Sequence, residues 1–534
     1  MSPPIKTQKD KERVISQKTW DTALLVMFLL ISLLFTASLL QWLTGGQFPL
    51  AFGNLAQRLL NIIFGITVIL MIVVLVLEND NPVHTLAWIL VLLYLPVVGF
   101  IFYLFFGRNW RKTRLFNRKG LADAVNLHEL WPPNTSPHCV SQSVLAGRLI
   151  DLLDSNSKAI LTCKNNVEII PDTSDALDRI CADIEAAQHH VHLEYFSVAP
   201  DETGRRIKDL LIRKVREGVQ VRFIYDDVGC FKLGRAYKKK MREAGVEFIP
   251  FMPVWIPLLN SRANYRNHRK IVIVDGTVGY LGGLNIGDKY MGLSKYYGYW
   301  RDSVVRIEGE GAVTLQALFL MDWFFVSKQN LLTRELFSQY VPKKEFDEEA
   351  LDNIMLQVVA SGPDTDHASI MQAYFLAISN ARRSIRIVSP YLILNESLLT
   401  ALKTAALSGV KIQILLPGKP DHLIVWWGGR SYFKELMEVG IEIYEYKNGF
   451  LHAKELIVDD EVISIGTANM DLRSFNHNFE ATAMIYHQPT VAAALKQFYD
   501  DLEKSQRIDK ETHQQRSILT KTMESICRLF SPVL

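Results

Sequence analysis

The sequence predicts an α/β protein with two pseudo-symmetric domains, each a central mixed sheet flanked by helices, after N-terminal transmembrane helices. Three observations lead to this prediction: long uncharged apolar stretches near the N-terminus, short β-rich runs alternating with helical stretches beyond residue 160, and an internal repeat within that alternating part. Alternation of this kind is typical of α/β layers. The 534 residues are enough for cores of ordinary size.

Composition excludes several classes of protein. Apolar residues make up 49% and charged residues 22%, and 59 Lys+Arg nearly balance 56 Asp+Glu. This balance argues against a disordered chain and against a globally basic nucleic-acid binder. The five cysteines are scattered without a C-x-x-C pair. The spacing therefore predicts reduced thiols rather than a disulfide framework or a zinc site.

Three N-terminal segments carry no charge, namely 22–43, 59–77 and 85–107. Each has about the 20 residues that a helix needs to cross a bilayer. A secretory signal peptide would instead show one short apolar core and a cleavage site. The segments therefore predict membrane helices.

The distribution of basic residues predicts their orientation. Five Lys and Arg precede residue 22, one lies between the first two segments, none lies between the second and third, and six lie between Arg108 and Lys119. The positive-inside rule places both basic flanks in the cytoplasm, which three full crossings cannot satisfy. Either the first segment is not a conventional span or the tail is outside. We expect segments 59–77 and 85–107 to form a hairpin, with the chain from about residue 120 onward in the cytoplasm.

An internal repeat occupies the remainder of the chain. The run from His268 to Asn285 matches the run from His452 to Asn469 at eight of eighteen positions without a gap. The strand and helix patterns upstream recur in the same order, so two copies of one unit lie about 185 residues apart. The predicted organisation is a cytoplasmic basic tail (1–21), membrane segments (22–107), a basic juxtamembrane linker (108–150), a first domain (151–345), a second domain (346–515) and an amphipathic C-terminal tail (516–534).

Each copy carries the same polar residues at the same spacing. A His and a Lys stand two positions apart, an Asp follows seven positions after the His, and an Asn follows seventeen after it: His268, Lys270, Asp275 and Asn285, then His452, Lys454, Asp459 and Asn469. A strand of period two points each His and Lys to one face. The Asp, an odd step and about 23 Å away, faces the other side, where it is expected to shape the hairpin turn by binding nearby backbone amides.

The turn also predicts what lies opposite each histidine. If Asp275 and Gly276 form a two-residue turn, Gly283 lies opposite His268. The same count places Thr467 opposite His452 and both asparagines on the histidine face. Small residues there would leave room for a substrate.

Two imidazoles, two ammonium groups and two amides form a set suited to a phosphodiester. The lysines and asparagines can stabilise charge on phosphoryl oxygens, and the imidazoles can divide a two-step displacement into nucleophilic attack and acid/base catalysis. Asp302 in WRD and Glu480 in NFE are candidates to orient the histidines, although either could be an ordinary salt-bridge residue. The sequence predicts no metal and no cofactor.

At these residues the chain resembles the phospholipase D superfamily, whose signature is H-x-K-x-x-x-x-D. The resemblance extends to bacterial cardiolipin synthases over about residues 85–534 through TLAWILVLLYLPVVGFIFYLFFGRNWRK, NYRNHRKIVIVDG, GGLNIGDKY, GFLHAKELIVDD, IGTANMDLRSFNHNFE and LFSPVL. Residues 1–58, which add an apolar segment, depart from that pattern.

The resemblance implies a phosphatidyltransferase of the cell membrane with no nucleic-acid partner. One phosphatidylglycerol would give its phosphatidyl group to a histidine, and a second would take it to yield cardiolipin and glycerol. By this analogy His268 is the nucleophile and His452 the acid/base, and all six signature residues count as active. There are three alternatives: a phospholipase D that releases phosphatidic acid, a nuclease and a non-catalytic membrane scaffold. The membrane hairpin disfavours the nuclease, and the two complete motifs disfavour the scaffold.

Two apolar regions are candidates for contact with the lipid bilayer. One is the insertion in the first copy, with Met252, Val254, Trp255, Ile256 and Leu258, and the other is the stretch Leu423 to Trp427. Core packing is the competing interpretation for both. The tail repeats apolar residues at helical spacing, which suits a helix on a membrane or one docked on the protein: Leu519, Met523, Ile526 and Phe530, with Lys521 and Arg528 between them.

Overall fold

The computed structural model describes residues 82–94, 143–254, 264–341, 351–365 and 367–531, with isolated helical positions between 62 and 76. The chain divides into two compact units, 1–109 and 110–534. The first unit contains helix α1 (Pro82–Tyr94). No helix in the described ranges combines the length and the apolar character needed to cross a membrane. The segment 22–43 and most of 59–77 and 85–107 lie outside those ranges.

The second unit contains both copies of the repeat, and their elements follow the same order. The first copy consists of α2 (Val144–Ser157), β1 (Leu161–Thr162), β2 (Asn165–Asp172), α3 (Thr173–Ala186), β3 (His190–Tyr195), α4 (Glu202–Arg216), β4 (Gln220–Asp226), α5 (Arg235–Glu243), β5 (Glu247–Phe251), β6 (Lys270–Val274), β7 (Val278–Gly282), a 3₁₀ turn (Asp288–Met291), β8 (Trp300–Gly309), α6 (Glu310–Ser327) and α7 (Arg334–Phe337).

The second copy is followed directly by the C-terminal elements. It consists of β9 (Leu356–Ser361), α8 (Ser369–Asn380), β10 (Ser384–Val388), β11 (Leu392–Ile393), α9 (Glu396–Leu407), β12 (Lys411–Pro417), α10 (Leu423–Arg430), α11 (Phe433–Glu438), β13 (Glu442–Tyr446), β14 (Phe450–Leu451), β15 (Glu455–Val458), β16 (Val462–Gly466), β17 (Met470–Asp471), α12 (Leu472–Asn476), β18 (Glu480–Ile485), α13 (Gln488–Glu503), β19 (Ser505–Arg507), α14 (Lys510–Gln514) and α15 (Ile518–Leu529).

The two sheets confirm the predicted pseudo-symmetry. The first sheet runs β2-β8-β7-β6-β3-β4-β5, and the second runs β9-β18-β16-β15-β10-β12-β13, which is the same order in equivalent strands. Both are mixed, because β3, β4 and β5 are parallel while β6 and β7 form an antiparallel hairpin beside them. Local caps set the helix starts, as where Asp172 accepts from the amides of Ser174 and Asp175.

A single apolar cluster joins the two sheets. It combines Ile271 and Leu281 of the first sheet with Ile457 and Ile465 of the second, around the buried helix α6. The outer helices cover separate clusters on the far face of each sheet. Helix α2 and strand β1, although they stand at the start of the first copy, pack on β9 of the second. The two copies therefore share one core.

Two expectations about individual residues are corrected. Cys181, Cys230 and Cys527 are free, as predicted, but Cys163 is disulfide-bonded. The spacing of cysteines along the sequence does not reveal a disulfide between two cysteines that only folding brings together. Met252 is buried in the core shared by the sheets, so it does not reach a bilayer. Residues 255–263 of the same insertion lie outside the described ranges.

Candidate active site

Both His-Lys pairs lie at the start of equivalent hairpins. His268 lies two residues before β6, and His452 lies in the segment between β14 and β15. All four side chains of the pairs belong to buried residues. The structure thus gives both copies of the motif the same position, at the entry to an equivalent hairpin.

Main-chain pairing carries each histidine to the other copy. The His268 amide donates to the carbonyl of Phe479 at 2.9 Å, and the His452 amide donates to the carbonyl of Arg301 at 2.7 Å. These contacts continue the bridge from Asn267 to Phe479 and the pairing of β14 with β8. Each histidine therefore lies beside the strand that bears the other copy's carboxylate.

The carboxylates complete two crossed pairs. His268 Nδ1 lies 3.0 Å from both carboxylate oxygens of Glu480, and His452 Nδ1 lies 2.7 Å from Asp302 Oδ2. An ionised carboxylate can only accept, so each Nδ1 carries the proton. Each neutral ring then presents the lone pair of Nε2, as a nucleophile or a general base requires.

The two carboxylates are held by different neighbours. Glu480 accepts from the Thr467 hydroxyl at 2.5 Å and from Asn478 Nδ2 at 3.2 Å. Asp302 accepts from the Ser303 amide at 2.9 Å and lies against Gly283, where an added Cβ would come within 2.0 Å of Oδ1. Gly283 therefore makes room for the Asp302 carboxylate, and Thr467 binds the Glu480 carboxylate.

The predicted hairpin register is wrong by one residue. Val274 lies opposite Val278, and Val458 lies opposite Val462, so each loop has three residues. Asp275 and Asp459 both begin the loop at positive φ, 52° and 55°. Because one extra residue shifts the ladder, Gly283 and Thr467 do not lie opposite the histidines.

Asp275 and Asp459 bind amides distant in sequence. Asp275 accepts from the amides of residues 188–190 at 2.8–2.9 Å, and Asp459 accepts from those of residues 382–384 at 2.7–3.0 Å. Each aspartate thus ties its hairpin loop to the start of the neighbouring strand, β3 or β10. The expectation that the amides would be nearby in the chain is wrong, because the sheet brings them there.

The supporting asparagines are buried in different settings. Asn285 Oδ1 accepts from the Ser197 amide at 3.0 Å. Asn469 Oδ1 has no hydrogen-bond partner among the described residues. The main-chain N–H of Asn469 donates to Ser474 Oγ at 3.2 Å. A role for either side chain in binding phosphate stays a prediction.

Burial brings the pKa of both lysines toward neutrality, and repulsion by Lys454 adds to the effect at Lys270. Lys270 Nζ donates to the His268 carbonyl at 2.6 Å, and Lys454 Nζ lies 2.9 Å from His452 Nδ1. Burial lowers the pKa of Lys270 to about 7 and that of Lys454 to about 8. A bound phosphodiester anion would raise both pKa values and so favour the charged ammonium form of each lysine.

Burial also lowers the pKa of both histidines, against the opposing effect of their carboxylates. The pKa of His452 falls to about 4, with Lys454 as the second cause, and that of His268 falls below its usual 6.5. The pKa of Glu480 falls to about 2, because His268 and Lys270 outweigh its own burial. At neutral pH the free site therefore holds neutral imidazoles and ionised carboxylates.

We expect kcat/KM for a phosphodiester substrate to be bell-shaped in pH. Protonation of His268 removes the nucleophilic lone pair, so the acid limb should have its midpoint below pH 6.5. Loss of the ammonium charges weakens phosphate binding, so the alkaline limb should fall between about pH 7 and 8. Initial rates from pH 4 to 10 measure this, and a rate that is constant from pH 7 to 10 would contradict it.

Several buried residues support the site without an obvious sequence signal. Arg301 joins the copies through Asp501 at 2.8 Å and Glu455 at 3.2 Å. Arg269 pairs with Asp322 and donates to the Glu480 carbonyl at 3.2 Å. Asn478 is the exception. It stands two residues before Glu480, and alternation along an extended strand would point both side chains to the same face. The described part of the chain contains no group of three or more His, Cys, Asp or Glu that could hold a metal.

Comparison with protein families gives two matches. The model described as "Cardiolipin synthase, PLD-like domain" matches residues 180–323 and 374–502, one match for each copy. A model described as phospholipase D-nuclease N-terminal matches residues 65–108. The duplicated unit is thus the phospholipase D-like domain that the signature predicted.

Individual relatives agree with the family models. The chain is 44% identical to a cardiolipin synthase of Geobacillus sp. (strain WCH70) over 89% of its length and 94% of that protein. It is 40% identical to the major cardiolipin synthase ClsA of Bacillus subtilis (strain 168) over 90% of its length and 100% of that protein.

A solved structure supports the fold. The phosphatidylserine synthase of Haemophilus influenzae Rd KW20 superposes with a TM-score of 0.55 at 14% identity, covering 73% of this chain and 99% of that one. At this identity the likeness concerns the fold. With two matched domains and relatives similar over most of their length, the chain belongs to the cardiolipin synthase family of phospholipase D-like proteins.

Proposed function

We propose that this protein is a cardiolipin synthase that transfers a phosphatidyl group between two molecules of phosphatidylglycerol. The observation that carries the proposal is the pair of crossed histidine-carboxylate contacts beside two buried lysines. Such a site can bind one phosphodiester and supply both a nucleophile and an acid/base. The similarity to curated cardiolipin synthases supports the identity of the lipid.

The reaction takes two displacements at one phosphorus. Binding of the phosphodiester anion favours the imidazolium form of His452, with a proton on Nε2 as well as on Nδ1. In the first displacement, His268 Nε2 forms a bond to phosphorus, the bond to the glycerol oxygen breaks, and the Nε2 proton of His452 passes to that oxygen. In the second, His452 takes the proton from a hydroxyl of another phosphatidylglycerol, whose oxygen attacks phosphorus as the bond to His268 breaks. Cardiolipin and glycerol leave, and both histidines return to their starting state.

Product analysis with purified protein tests this proposal. Labelled phosphatidylglycerol in detergent, with a chelator present, should give cardiolipin and glycerol in equal amounts. Phosphatidic acid as the dominant product would favour the hydrolytic alternative, a phospholipase D that passes the phosphatidyl group to water.

We propose that the catalytic unit works at the cytoplasmic surface of the bacterial cell membrane, in a multi-pass protein. The basic stretch after residue 107 supports this side, and the N-terminal match to the family supports an anchoring role for residues 65–108. The number of crossings stays a prediction, because these segments lie largely outside the described residues.

An exposed apolar surface near the site supports direct contact with lipid. Helix α10 exposes Leu423 and Ile424 by 64% and 52%, and α15 packs against it. The helix α15 buries Cys527 and Glu524 on the protein and exposes the opposite face. Its exposed apolar residues include Ile518, Leu519, Met523, Ile526 and Leu529, and Phe530 follows them. We call this set with Leu423 and Ile424 the apolar surface.

Charging the apolar surface should impair activity on bilayers specifically. We expect Leu423→Asp with Ile424→Asp to lower the rate on phosphatidylglycerol vesicles by at least about tenfold, since each side chain loses its favourable transfer into lipid. The rate in detergent micelles should fall much less. Leu407→Asp, at a residue 74% exposed on α9, is the matched control. Equal losses in vesicles from both variants would rule out a specific role for this surface.

A further inference from the structure

We propose that Asp421, Tyr391 and Lys289 form a binding site for the glycerol head group of the acceptor lipid, on the His452 side of the active site. Asp421 would accept a hydrogen bond from the hydroxyl next to the one that reacts, and Lys289 would face the acceptor's own phosphate. This inference rests on the proposed function and deepens it, because it assigns the residues that select the acceptor.

The carboxylate is held in place by a tyrosine. The Tyr391 hydroxyl donates to Asp421 Oδ2 at 2.5 Å, and the His422 amide donates to Oδ1 at 2.8 Å. Each carboxylate oxygen has a second acceptor position, so Asp421 can still accept from a ligand hydroxyl. The Asp421 side chain is 18% exposed, which leaves it open to a ligand at the edge of the pocket.

The lysine comes from the other copy and is placed by aromatic rings. Lys289 Nζ lies 4.6 Å from the ring centre of Tyr290 and 5.8 Å from that of Trp300. The Trp300 ring lies 5.2 Å from the His452 ring. One indole therefore contacts both the acid/base histidine and the lysine, which puts Lys289 next to the His452 side of the site.

The loops that carry these residues are fastened to each other. The Tyr296 hydroxyl donates to the Pro420 carbonyl at 3.0 Å, and Lys419 Nζ donates to the Tyr296 carbonyl at 3.2 Å. The charge of Asp421 raises the pKa of both Lys289 and Lys454, against the larger effect of burial. Asp421 thus acts on a lysine of the reacting centre as well as on Lys289, across the boundary between the copies.

The chemistry of the acceptor fits this arrangement. The glycerol head group of phosphatidylglycerol carries two adjacent hydroxyls, of which the terminal one attacks and the central one stays free. A carboxylate that accepts from the central hydroxyl would position the terminal one near His452. An acceptor without the second hydroxyl, such as water or a simple alcohol, would leave Asp421 without that partner, which is the basis for discrimination.

The position of Asp421 also fits the path of a lipid. It lies two residues before α10, whose exposed Leu423 and Ile424 belong to the apolar surface. A lipid whose acyl chains remain in the bilayer would therefore present its head group next to Asp421.

A pair of alcohols with the same carbon skeleton tests the assignment. The full chain in detergent is given phosphatidylglycerol as donor with 1,2-propanediol or 1-propanol as competing acceptor, and the ratio of the two phosphatidyl products is measured. We expect the parent to favour the diol by about tenfold or more and Asp421→Asn to lose most of that preference. Tyr391→Phe, which removes one hydroxyl, should lose part of it. Asp209→Asn, at an exposed residue paired with Lys208, is the control and should keep the parent ratio.

The outcomes separate this inference from the proposed function. If the parent forms cardiolipin but Asp421→Asn and Tyr391→Phe keep the full preference for the diol, the acceptor site is overturned and the proposed function stands. Equal loss of transfer to both alcohols would also overturn it, because that pattern indicates a structural role. A parent that transfers the phosphatidyl group to no acceptor would overturn the proposed function and this inference with it.

Discussion

Replacing either His268 or His452 with alanine is expected to lower cardiolipin formation by at least about 10⁴-fold, because each variant lacks one of the two groups that the displacements need. Both side chains are buried beside a carboxylate of the other copy, so no neighbouring group can take their place. Labelled phosphatidylglycerol and separation of the lipid products measure the loss. His189→Ala, at an exposed histidine, is the control and should retain the parent rate.

The same comparison tests whether the two copies form one site. If either variant kept half of the parent activity, the copies would be acting as independent sites. Circular dichroism and thermal unfolding of both variants show whether a loss comes from chemistry or from folding.

Removing the crossed carboxylates is expected to produce the second largest effects. Glu480→Gln and Asp302→Asn keep the shape of the side chains but exchange an acceptor for an amide, which no longer fixes the Nδ1 proton. We expect each to lower the rate by about 10² to 10⁴-fold. Glu480→Gln should also lower the pKa of His268 further, because the carboxylate raises it. Titration of the imidazole resonances by NMR measures this shift, with Glu438→Gln as a surface control.

A substrate with a good leaving group shows which carboxylate serves which histidine. Phosphatidyl p-nitrophenol needs no acid for the first displacement, so the initial burst reports on the nucleophile and the later rate reports on the base. Glu480→Gln should slow mainly the burst, and Asp302→Asn should slow mainly the later rate. The reverse pattern would contradict the crossed pairs seen at Nδ1 of His268 and His452.

The repeat and the site residues were largely predictable from the sequence. The matched runs predict two equivalent sheets, and the strand order confirms them. The positions of both His-Lys pairs follow from period-two alternation, and the candidate carboxylates Asp302 and Glu480 contact the histidines. These features depend on local spacing, which one sequence contains.

The rest depends on contacts between distant segments. The crossed pairs arise because β14 joins β8 and the segment at Asn267 joins Phe479, and neither pairing leaves a periodic signal. The hairpin register failed because Thr277 is a third loop residue, which the two-residue turn expected from Asp275 and Gly276 does not contain. The disulfide at Cys163 was missed for the same reason, since spacing along the chain does not report proximity in the fold.

The most direct test of the central claim, that two imidazoles from two copies serve one phosphorus in different roles, is the burst of p-nitrophenol from phosphatidyl p-nitrophenol in the two histidine variants. His452→Ala should release about one equivalent per protein and then stop, with the phosphatidyl group on His268 in the peptide recovered after an alkaline quench, whereas His268→Ala should release none. Continued turnover in both variants, or a burst in His268→Ala with the label on another residue, would contradict the account.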